Sequence, residues 1–315
     1  MGSGLIRTCP PLRKGFSRKF PQLISEPGKP IAPLPFATYR DPVPETASPL
    51  AALADYHTHT PLCRHAEGWP VDLARVAAEK GLGEFGLADH NPMPKPFDDW
   101  RMLIEDLPRY LESVEAARAE FPQLNIKLGL ECDYLRGQEA WIEELSGMAS
   151  WDFFIGSVHY LPDGWEVDNP KYLSRHTQRA APEMWDSYWE TYGACIRSGL
   201  FDFVGHPDLP KKFGVRPDGD LRRYYEPAIQ ALVDTGLAYE INTAGLRKEC
   251  KEQYPAADFI DLACSAGVPV LINSDAHRPD EVGAGFNTAL QLARQAGYTH
   301  TVRFTRRRRS IVALP

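Results

Sequence analysis

From residue 51 onward, apolar and polar positions follow two alternating patterns. Short apolar runs recur along the chain, and between them lie longer stretches with apolar residues at i, i+3 and i+4 spacing. The short runs predict buried strands, and the longer stretches predict amphipathic helices. The predicted helices span residues 70–81, 100–120, 137–148, 182–199, 220–236, 256–267 and 280–296.

Seven predicted strands are each followed by a predicted helix, which indicates a parallel sheet covered on both faces. Five of the helices end at a glycine, where a left-handed cap is favoured. These glycines are Gly81, Gly199, Gly236, Gly267 and Gly297. The simplest closure of such a sheet is an α/β barrel, whose functional groups gather at the carboxyl ends of the strands.

The first fifty residues differ from the rest of the chain. They are rich in proline, show little periodicity and contain five basic residues but no acid before Glu26. We predict that residues 1–50 are a poorly ordered extension and that residues 51–315 form the barrel. A transit peptide is the alternative for this basic, acid-poor segment.

Composition and charge exclude several classes of protein. The 315 residues are 43% hydrophobic and 24% charged, as in globular proteins. No apolar run approaches the roughly 18 to 20 residues of a membrane span. The net charge of −7 opposes nucleic-acid binding, and the run RRRR at 306–309 is interpreted as part of a closing strand at the base of the barrel. Six cysteines without a C-x-x-C pair favour a cytoplasmic location, and we expect a monomer or small homo-oligomer.

Nine potential metal ligands lie where predicted strands end, or in the loops that follow. Histidine and carboxylate side chains bind borderline and hard divalent cations. Because the carboxyl ends of barrel strands share one face, these side chains are predicted to form one site. They are His57, His59, His65, His90, Glu131, His159, His206, Asp275 and His277.

The spacing within these motifs supports the metal interpretation. His57 and His59 are two residues apart on a strand, so both imidazoles project from the same face. Asp275 and His277 repeat this spacing on the last strand. The two remaining histidines, His176 and His300, are interpreted as ordinary polar residues. Three aspartates beside the ligands are predicted to orient imidazoles without binding metal: Asp55, Asp89 and Asp208.

Together, the H-x-H pair, the third histidine six residues later, S-V-H, G-H-P-D and D-A-H resemble the polymerase and histidinol phosphatase (PHP) family over residues 53–315. The resemblance implies a distorted (β/α)7 TIM-like barrel with three divalent ions, which are zinc, manganese or iron. It implies one ion held by His57, His59, Glu131 and Asp275, with Glu131 bridging. A second would bind Glu131, His159 and His206, and the third His65, His90 and His277.

Within the family, the segments GSVHYLPDGWEVD, VGHPDLPKKF and EINTAGLRKE resemble the histidinol-phosphate phosphatases of histidine biosynthesis. This resemblance implies hydrolysis of L-histidinol phosphate, a small phosphorylated substrate. A metal lowers the pKa of a bound water, so a bridging hydroxide is the expected nucleophile. Glu131, Asp275 and His277 are the predicted catalytic residues; whether Asp275 or a water protonates the leaving alkoxide is left open.

Substrate contacts are predicted on the loops that follow the strands. Arg247 is the first candidate for gripping phosphate, because a guanidinium donates two parallel hydrogen bonds. Further basic candidates are Lys211, Lys212 and Arg175. For a substrate with an ammonium and an imidazole, the loop PDGWEVD offers Asp163, Glu166 and Asp168, with Trp165 for stacking.

Three other functions share parts of this pattern. A PHP-family nuclease would need a basic groove with stacking aromatic residues, which the net charge opposes. An amidohydrolase commonly bridges its metals with a lysine of the fourth strand, and FFIGSVHY contains none. A non-catalytic binding module of the same fold would be expected to lack one or more ligands, whereas all nine are present.

Overall fold

The structure is a computed structural model that describes residues 49–315, so the predicted 1–50 extension lies almost entirely outside the described residues. Seven strands pair in parallel in chain order. They are β1 (Ala54–Asp55), β2 (Glu84–Leu87), β3 (Asn125–Asp133), β4 (Phe153–Ser157), β5 (Phe203–Val204), β6 (Ala238–Asn242) and β7 (Val270–Asn273). Beyond β1 and β7, the His59 amide donates to the Ala276 carbonyl at 2.8 Å. This contact nearly closes the sheet, and the predicted (β/α)7 barrel is confirmed.

The helices lie on the outside of the barrel. They are α1 (Pro70–Glu79), α2 (Leu107–Glu120), α3 (Glu139–Ser146), α4 (Ala181–Arg197), α5 (Arg222–Thr235), α6 (Ala257–Ser265) and α7 (Phe286–Ala296). All five glycines predicted as caps have positive φ, from 67° at Gly236 to 106° at Gly297. None of these helices is long and apolar enough to cross a membrane.

Two helices begin later than the sequence pattern predicts. Helix α2 starts at Leu107 rather than residue 100, because Arg101 is buried and bonds to the loop that follows β2. Helix α7 starts at Phe286 rather than residue 280, because Gly283 and Gly285 have positive φ. In both cases a segment that the periodicity assigned to a helix is instead held by contacts at the barrel mouth.

The C-terminal arginine run is not part of a single closing strand, as the sequence pattern suggested. Strands β8 (His300–Thr305) and β9 (Arg308–Ala313) form an antiparallel hairpin, and Arg306 and Arg307 form its two-residue turn. Both turn residues have positive φ, as the favoured two-residue hairpin turns require. The turn is fixed because the Arg306 amide donates to Asp152 Oδ1 at 3.0 Å.

A separate apolar cluster fills the interior at the base of the barrel. The hairpin contributes Val302 and Phe304, which pack with Phe153 and Phe203. This packing leaves no room for a side chain at Gly129 of β3, because a Cβ there would lie 2.3 Å from the Phe153 ring. The base is therefore a closed apolar core, and the candidate metal ligands lie at the opposite end.

Candidate metal centre

The nine predicted ligands converge at the carboxyl ends of the strands. Glu131, near the end of β3, lies at the middle of the group and is 1% exposed. Five imidazoles approach its two carboxylate oxygens. The nitrogen-to-oxygen distances are 3.3 Å for His57, 3.5 Å for His59, 2.9 Å for His90, 3.6 Å for His159 and 2.8 Å for His206.

The other three ligands lie on the solvent side of this group. Asp275 Oδ1 is 3.3 Å from His59 Nε2 and 3.7 Å from His57 Nε2. His65 Nε2 and His277 Nε2 are 3.0 Å apart. The side chains of Asp275 and His277 are 14% and 26% exposed, whereas His57 and His59 are completely buried. The cluster therefore opens to solvent on the side of Asp275 and His277.

The geometry and hydrogen bonding of this cluster fit divalent cations. Two ligand atoms bound to one tetrahedral zinc, each at roughly 2.1 Å, are separated by about 3.4 Å. The distances around Glu131 lie near this value. Several buried atoms have no hydrogen-bond partner among the described residues, which would be costly without an ion. They are Nε2 of His57, both ring nitrogens of His59, Nδ1 of His90 and His206, and Oε2 of Glu131.

Four imidazoles are oriented by acceptors on their far side. Glu240 accepts from His57 Nδ1 at 3.0 Å, and Asp133 accepts from His159 Nδ1 at 2.7 Å. Backbone carbonyls do the same for two more ligands: the Cys63 carbonyl for His65 at 2.7 Å and the Asp275 carbonyl for His277 at 3.1 Å. Because these acceptors carry no proton, each Nδ1 carries one, and each Nε2 faces the cluster, where it can hold a proton or bind a metal ion.

Sequence reasoning missed the two orienting carboxylates, Glu240 and Asp133. Glu240 lies within the apolar strand β6. Asp133 ends β3 and is two residues from Glu131, the same spacing that singled out the H-x-H pair. Of the three aspartates predicted instead, Asp55 accepts from Ser274, and Asp208 bonds to Lys211 and Ala256. For these two the prediction is wrong, because their carboxylates hold loop segments.

Asp89 comes nearer to the predicted role. Its Oδ1 lies 3.7 Å from His59 Nδ1, beyond hydrogen-bond distance, and it accepts from the Thr60 amide at 2.8 Å. Asp89 therefore fixes the backbone next to His59. The two histidines assigned ordinary roles lie elsewhere: His176 is buried between Trp165 and Phe213, and His300 is an exposed residue of β8.

The pKa values within the cluster reflect its concentrated charge. Burial alone would raise the pKa of Glu131, but the His57, His90 and His159 imidazoles lower it well below its ordinary value. Burial would lower the pKa of His159, yet Asp133 and Glu131 raise it to about 10. The buried carboxylates thus draw positive charge into the centre, as protons or as metal ions.

The predicted substrate contacts occupy different surroundings. Arg247 lies beside the cluster, where its Nη2 donates to the carbonyls of Ser274 and Asp275 at 2.9 and 3.2 Å. Lys212 is half-buried and donates to Asp168 at 3.1 Å. Arg175 is exposed on the loop after β4, which also carries Asp168, and its guanidinium pairs with Asp163 at 2.6 Å.

Lys211 and Trp165 do not fit their predicted roles. The Lys211 side chain is completely buried, and its ammonium bonds to Asp208, Glu252 and the Gln253 carbonyl. These three contacts use all of its donors, so Lys211 stabilises the loop after β5 and has none left for a substrate. Trp165 is 5% exposed and covered by the Arg175 guanidinium at 3.9 Å, which prevents stacking on a substrate.

The fold and this cluster define an α/β-barrel protein with several groups of potential metal ligands at the mouth of the barrel. Comparison with known proteins identifies its family. The family model of the PHP domain matches residues 55–244, which is more than half of the chain. The chain belongs to the PHP family.

Individual relatives extend this similarity beyond the matched domain. A probable histidinol-phosphatase of Deinococcus radiodurans is 42% identical over 262 residues, covering 82% of this chain and 99% of the relative. The histidinol-phosphatase of Bacillus subtilis is 26% identical over 75% of this chain and 98% of its own length.

A solved structure shares the fold. The histidinol phosphate phosphatase of Lactococcus lactis, solved with zinc, L-histidinol and phosphate, superposes with a TM-score of 0.70 at 22% identity. The superposition covers 82% of this chain and 99% of that protein.

Proposed function

We propose that this chain is a metal-dependent phosphomonoesterase that hydrolyses L-histidinol phosphate to L-histidinol and phosphate in histidine biosynthesis. The observation that carries the proposal is the convergence of eight potential metal ligands on the ninth, Glu131, at the open end of the barrel. The substrate is supported by the Deinococcus radiodurans relative, which is similar over nearly its whole length.

The proposed metal content is three divalent ions. His57, His59, Glu131 and Asp275 would hold the first, Glu131, His159 and His206 the second, and His65, His90 and His277 the third. The groups His57–His59–Glu131 and His57–His206–Asp275 each have ligand atoms within 4.8 Å of one another. Zinc is the first choice because the Lactococcus lactis enzyme was solved with it, and manganese and iron accept the same ligands.

When bound, such ions lower the pKa of a coordinated water and neutralise phosphoryl oxygens in the transition state. The protein groups determine where this chemistry occurs. Glu131 sets the spacing of the ligands, because it touches five imidazoles at once. Asp275 and His277 lie at the solvent-facing side, where a phosphate ester enters, and are the residues proposed to contact the reacting group.

The substrate is proposed to lie between Arg247 and the loop that follows β4. Arg247 already fixes the backbone of Asp275, so a phosphate there would meet its guanidinium beside the cluster. Glu166 and Asp168 offer carboxylates for the ammonium and imidazole of the alcohol. Their side chains are oriented by contacts with Trp100 and Lys212.

The decisive experiment is a substrate panel on enzyme reconstituted with zinc, manganese or iron. The panel contains histidinol phosphate, p-nitrophenyl phosphate, bis-p-nitrophenyl phosphate and a single-stranded oligonucleotide. Histidinol phosphate should exceed the other monoester by roughly tenfold or more in kcat/KM. A preference for the diester or the oligonucleotide would contradict the proposed phosphatase activity and would indicate a PHP-family nuclease instead.

The same substrates also test whether the acidic loop after β4 binds the alcohol part of the substrate, independently of the metal centre. Asp168→Asn should raise KM for histidinol phosphate but not for p-nitrophenyl phosphate, which has no ammonium to bind. An unchanged KM for both substrates would remove Asp168 from the binding site. We also propose that the protein has no nucleic-acid partner, because its net charge is −7. A cytoplasmic location and a monomeric or small homo-oligomeric state stay predictions.

A further inference from the structure

The carboxylate of Glu240 has an unusual set of contacts for a charged group in a buried strand. Glu240 lies in the middle of β6 and is completely buried. Oε1 accepts from His57 Nδ1 at 3.0 Å, from the His206 amide at 2.8 Å and from Asn242 Nδ2 at 2.8 Å. Oε2 accepts from Asn273 Nδ2 at 2.7 Å. One carboxylate thus connects β6 and β7 with the segments that follow β1 and β5.

These contacts reach three of the nine ligands. His57 is contacted through its ring, and His206 through its backbone amide. Asp275 is reached indirectly, because Asn242 Nδ2 also donates to Asp275 Oδ2 at 3.2 Å. His206 has a φ of 21°, and Asp275 has a φ of 51°, conformations that L-residues adopt rarely. Glu240 therefore contacts, directly or through Asn242, both of the candidate ligands that adopt this uncommon backbone conformation.

The charge of Glu240 is compensated differently from that of the other orienting carboxylate. Asp133 pairs with the buried guanidinium of Arg101 at 2.9 Å. Within residues 49–315, by contrast, the only ion-pair partner of Glu240 is the His57 imidazole. A buried carboxylate without a permanent cation is costly. Positive charge at the cluster supplies that compensation, so the negative charge of Glu240 is suited to stabilising bound cations.

We infer that Glu240 is the positioning residue of this metal centre: it holds the ring of His57, the backbone of His206 and, through Asn242, the carboxylate of Asp275 in metal-binding geometry. Glu240 acts through these contacts and not by binding an ion, because Oε1 accepts from three donors and Oε2 accepts from Asn273 and lies 3.1 Å from His57 Nδ1. The inference rests on the metal centre proposed above.

The variant that tests it is Glu240→Gln, which keeps the shape but replaces one acceptor by an NH₂ donor. That NH₂ must face either His57 and His206 or the amide of Asn273. Asn273 cannot turn over freely, because its Oδ1 accepts from the Tyr56 amide at 2.8 Å. We expect a loss of metal affinity of about 10- to 100-fold, measured by competition with a chromophoric chelator. KM for the phosphate ester should not change.

A matched control is Glu84→Gln, which alters another buried carboxylate at the base of the barrel, where it contacts Lys127 and Asn125. This variant should lower the melting temperature without changing metal affinity. If Glu240→Gln behaves like Glu84→Gln, Glu240 is merely structural and the inference is wrong. If the wild-type protein itself binds no metal, the proposed function fails instead, which distinguishes the two failures.

A measurement on the wild-type protein keeps the inference testable even if Glu240→Gln does not fold. In protein labelled with ¹⁵N-histidine, NMR should show the His57 ring protonated at Nδ1, with a hydrogen-bonded proton that exchanges slowly with water. The signal is assigned by its loss in His57→Gln. Finding His57 protonated at Nε2 in the metal-loaded protein would overturn the inference.

Discussion

The base and the mouth of the barrel interior differ in the kind of atoms that they bury. At the base, Phe153, Phe203 and Phe304 pack against one another, with ring centroids 5.5 to 5.8 Å apart for the Phe153–Phe203 and Phe203–Phe304 pairs. At the mouth, buried ring nitrogens and carboxylate oxygens face each other, and several have no hydrogen-bond partner within residues 49–315. The buried atoms at the base are packed by other protein atoms, whereas the buried atoms at the mouth are suited to binding cations.

This difference shows where the fold and the function each reside. Packed apolar side chains stabilise a fold, because every atom removed leaves a cavity or lost contacts. Clustered polar groups cost stability unless an ion or substrate satisfies them. Changes at the mouth should therefore remove activity and leave the fold, while changes at the base should do the reverse.

The largest effect is expected for Glu131→Gln at the mouth. The amide keeps the shape but loses the charge that five imidazoles and the bound cations share, so kcat for histidinol phosphate should fall by about a thousandfold or more. Metal content, measured by elemental analysis, should fall with it.

The fold of this variant is its internal control. The melting temperature of metal-free Glu131→Gln should stay close to that of the metal-free wild type, because the base core is untouched. Near wild-type kcat would contradict the central role given to Glu131, and an unfolded variant would contradict the separation of the two ends.

The next effect is expected for Phe153→Ala at the base. Phe153 is fully buried against Tyr56 and Phe203, so removing its ring should lower the free energy of unfolding by about 3 to 5 kcal/mol. Chemical denaturation measures this change, and kcat per folded molecule should remain that of the wild type. Ile311→Ala on strand β9, where the side chain is 51% exposed, should change stability by no more than about 0.5 kcal/mol.

The sequence predicted the residues at the mouth of the barrel better than the hairpin at its base, and the reason is physical. Ligand positions follow from strand ends, because parallel strands of a barrel bring their carboxyl ends to one face. All nine predicted ligands accordingly lie in one cluster. The glycine caps were equally predictable, because a left-handed residue at a helix end strongly favours glycine.

The features that the sequence did not reveal depend on partners far away in the chain. Glu240 is a single acidic residue in an apolar strand. Its role in orienting an imidazole can be recognised only from its contact with His57, which is 183 residues away in the chain. Arg101 continues a helical pattern, yet its guanidinium is bound by Asp133 at the barrel mouth. The hairpin turn was missed because arginine is not a residue that signals positive φ.

The smallest expected effect concerns that hairpin turn. Arg306 has a φ of 50° and an exposed side chain, so Arg306→Gly should relieve backbone strain and raise the free energy of unfolding by about 1 kcal/mol. The amide that donates to Asp152 is kept in this variant. Arg308→Gly, in strand β9, is the matched control and should destabilise by about 0.5 to 1 kcal/mol, because glycine is unfavourable in a strand. If both variants lose stability in urea denaturation, the turn is not strained; if either one changes kcat, the base is not independent of the mouth.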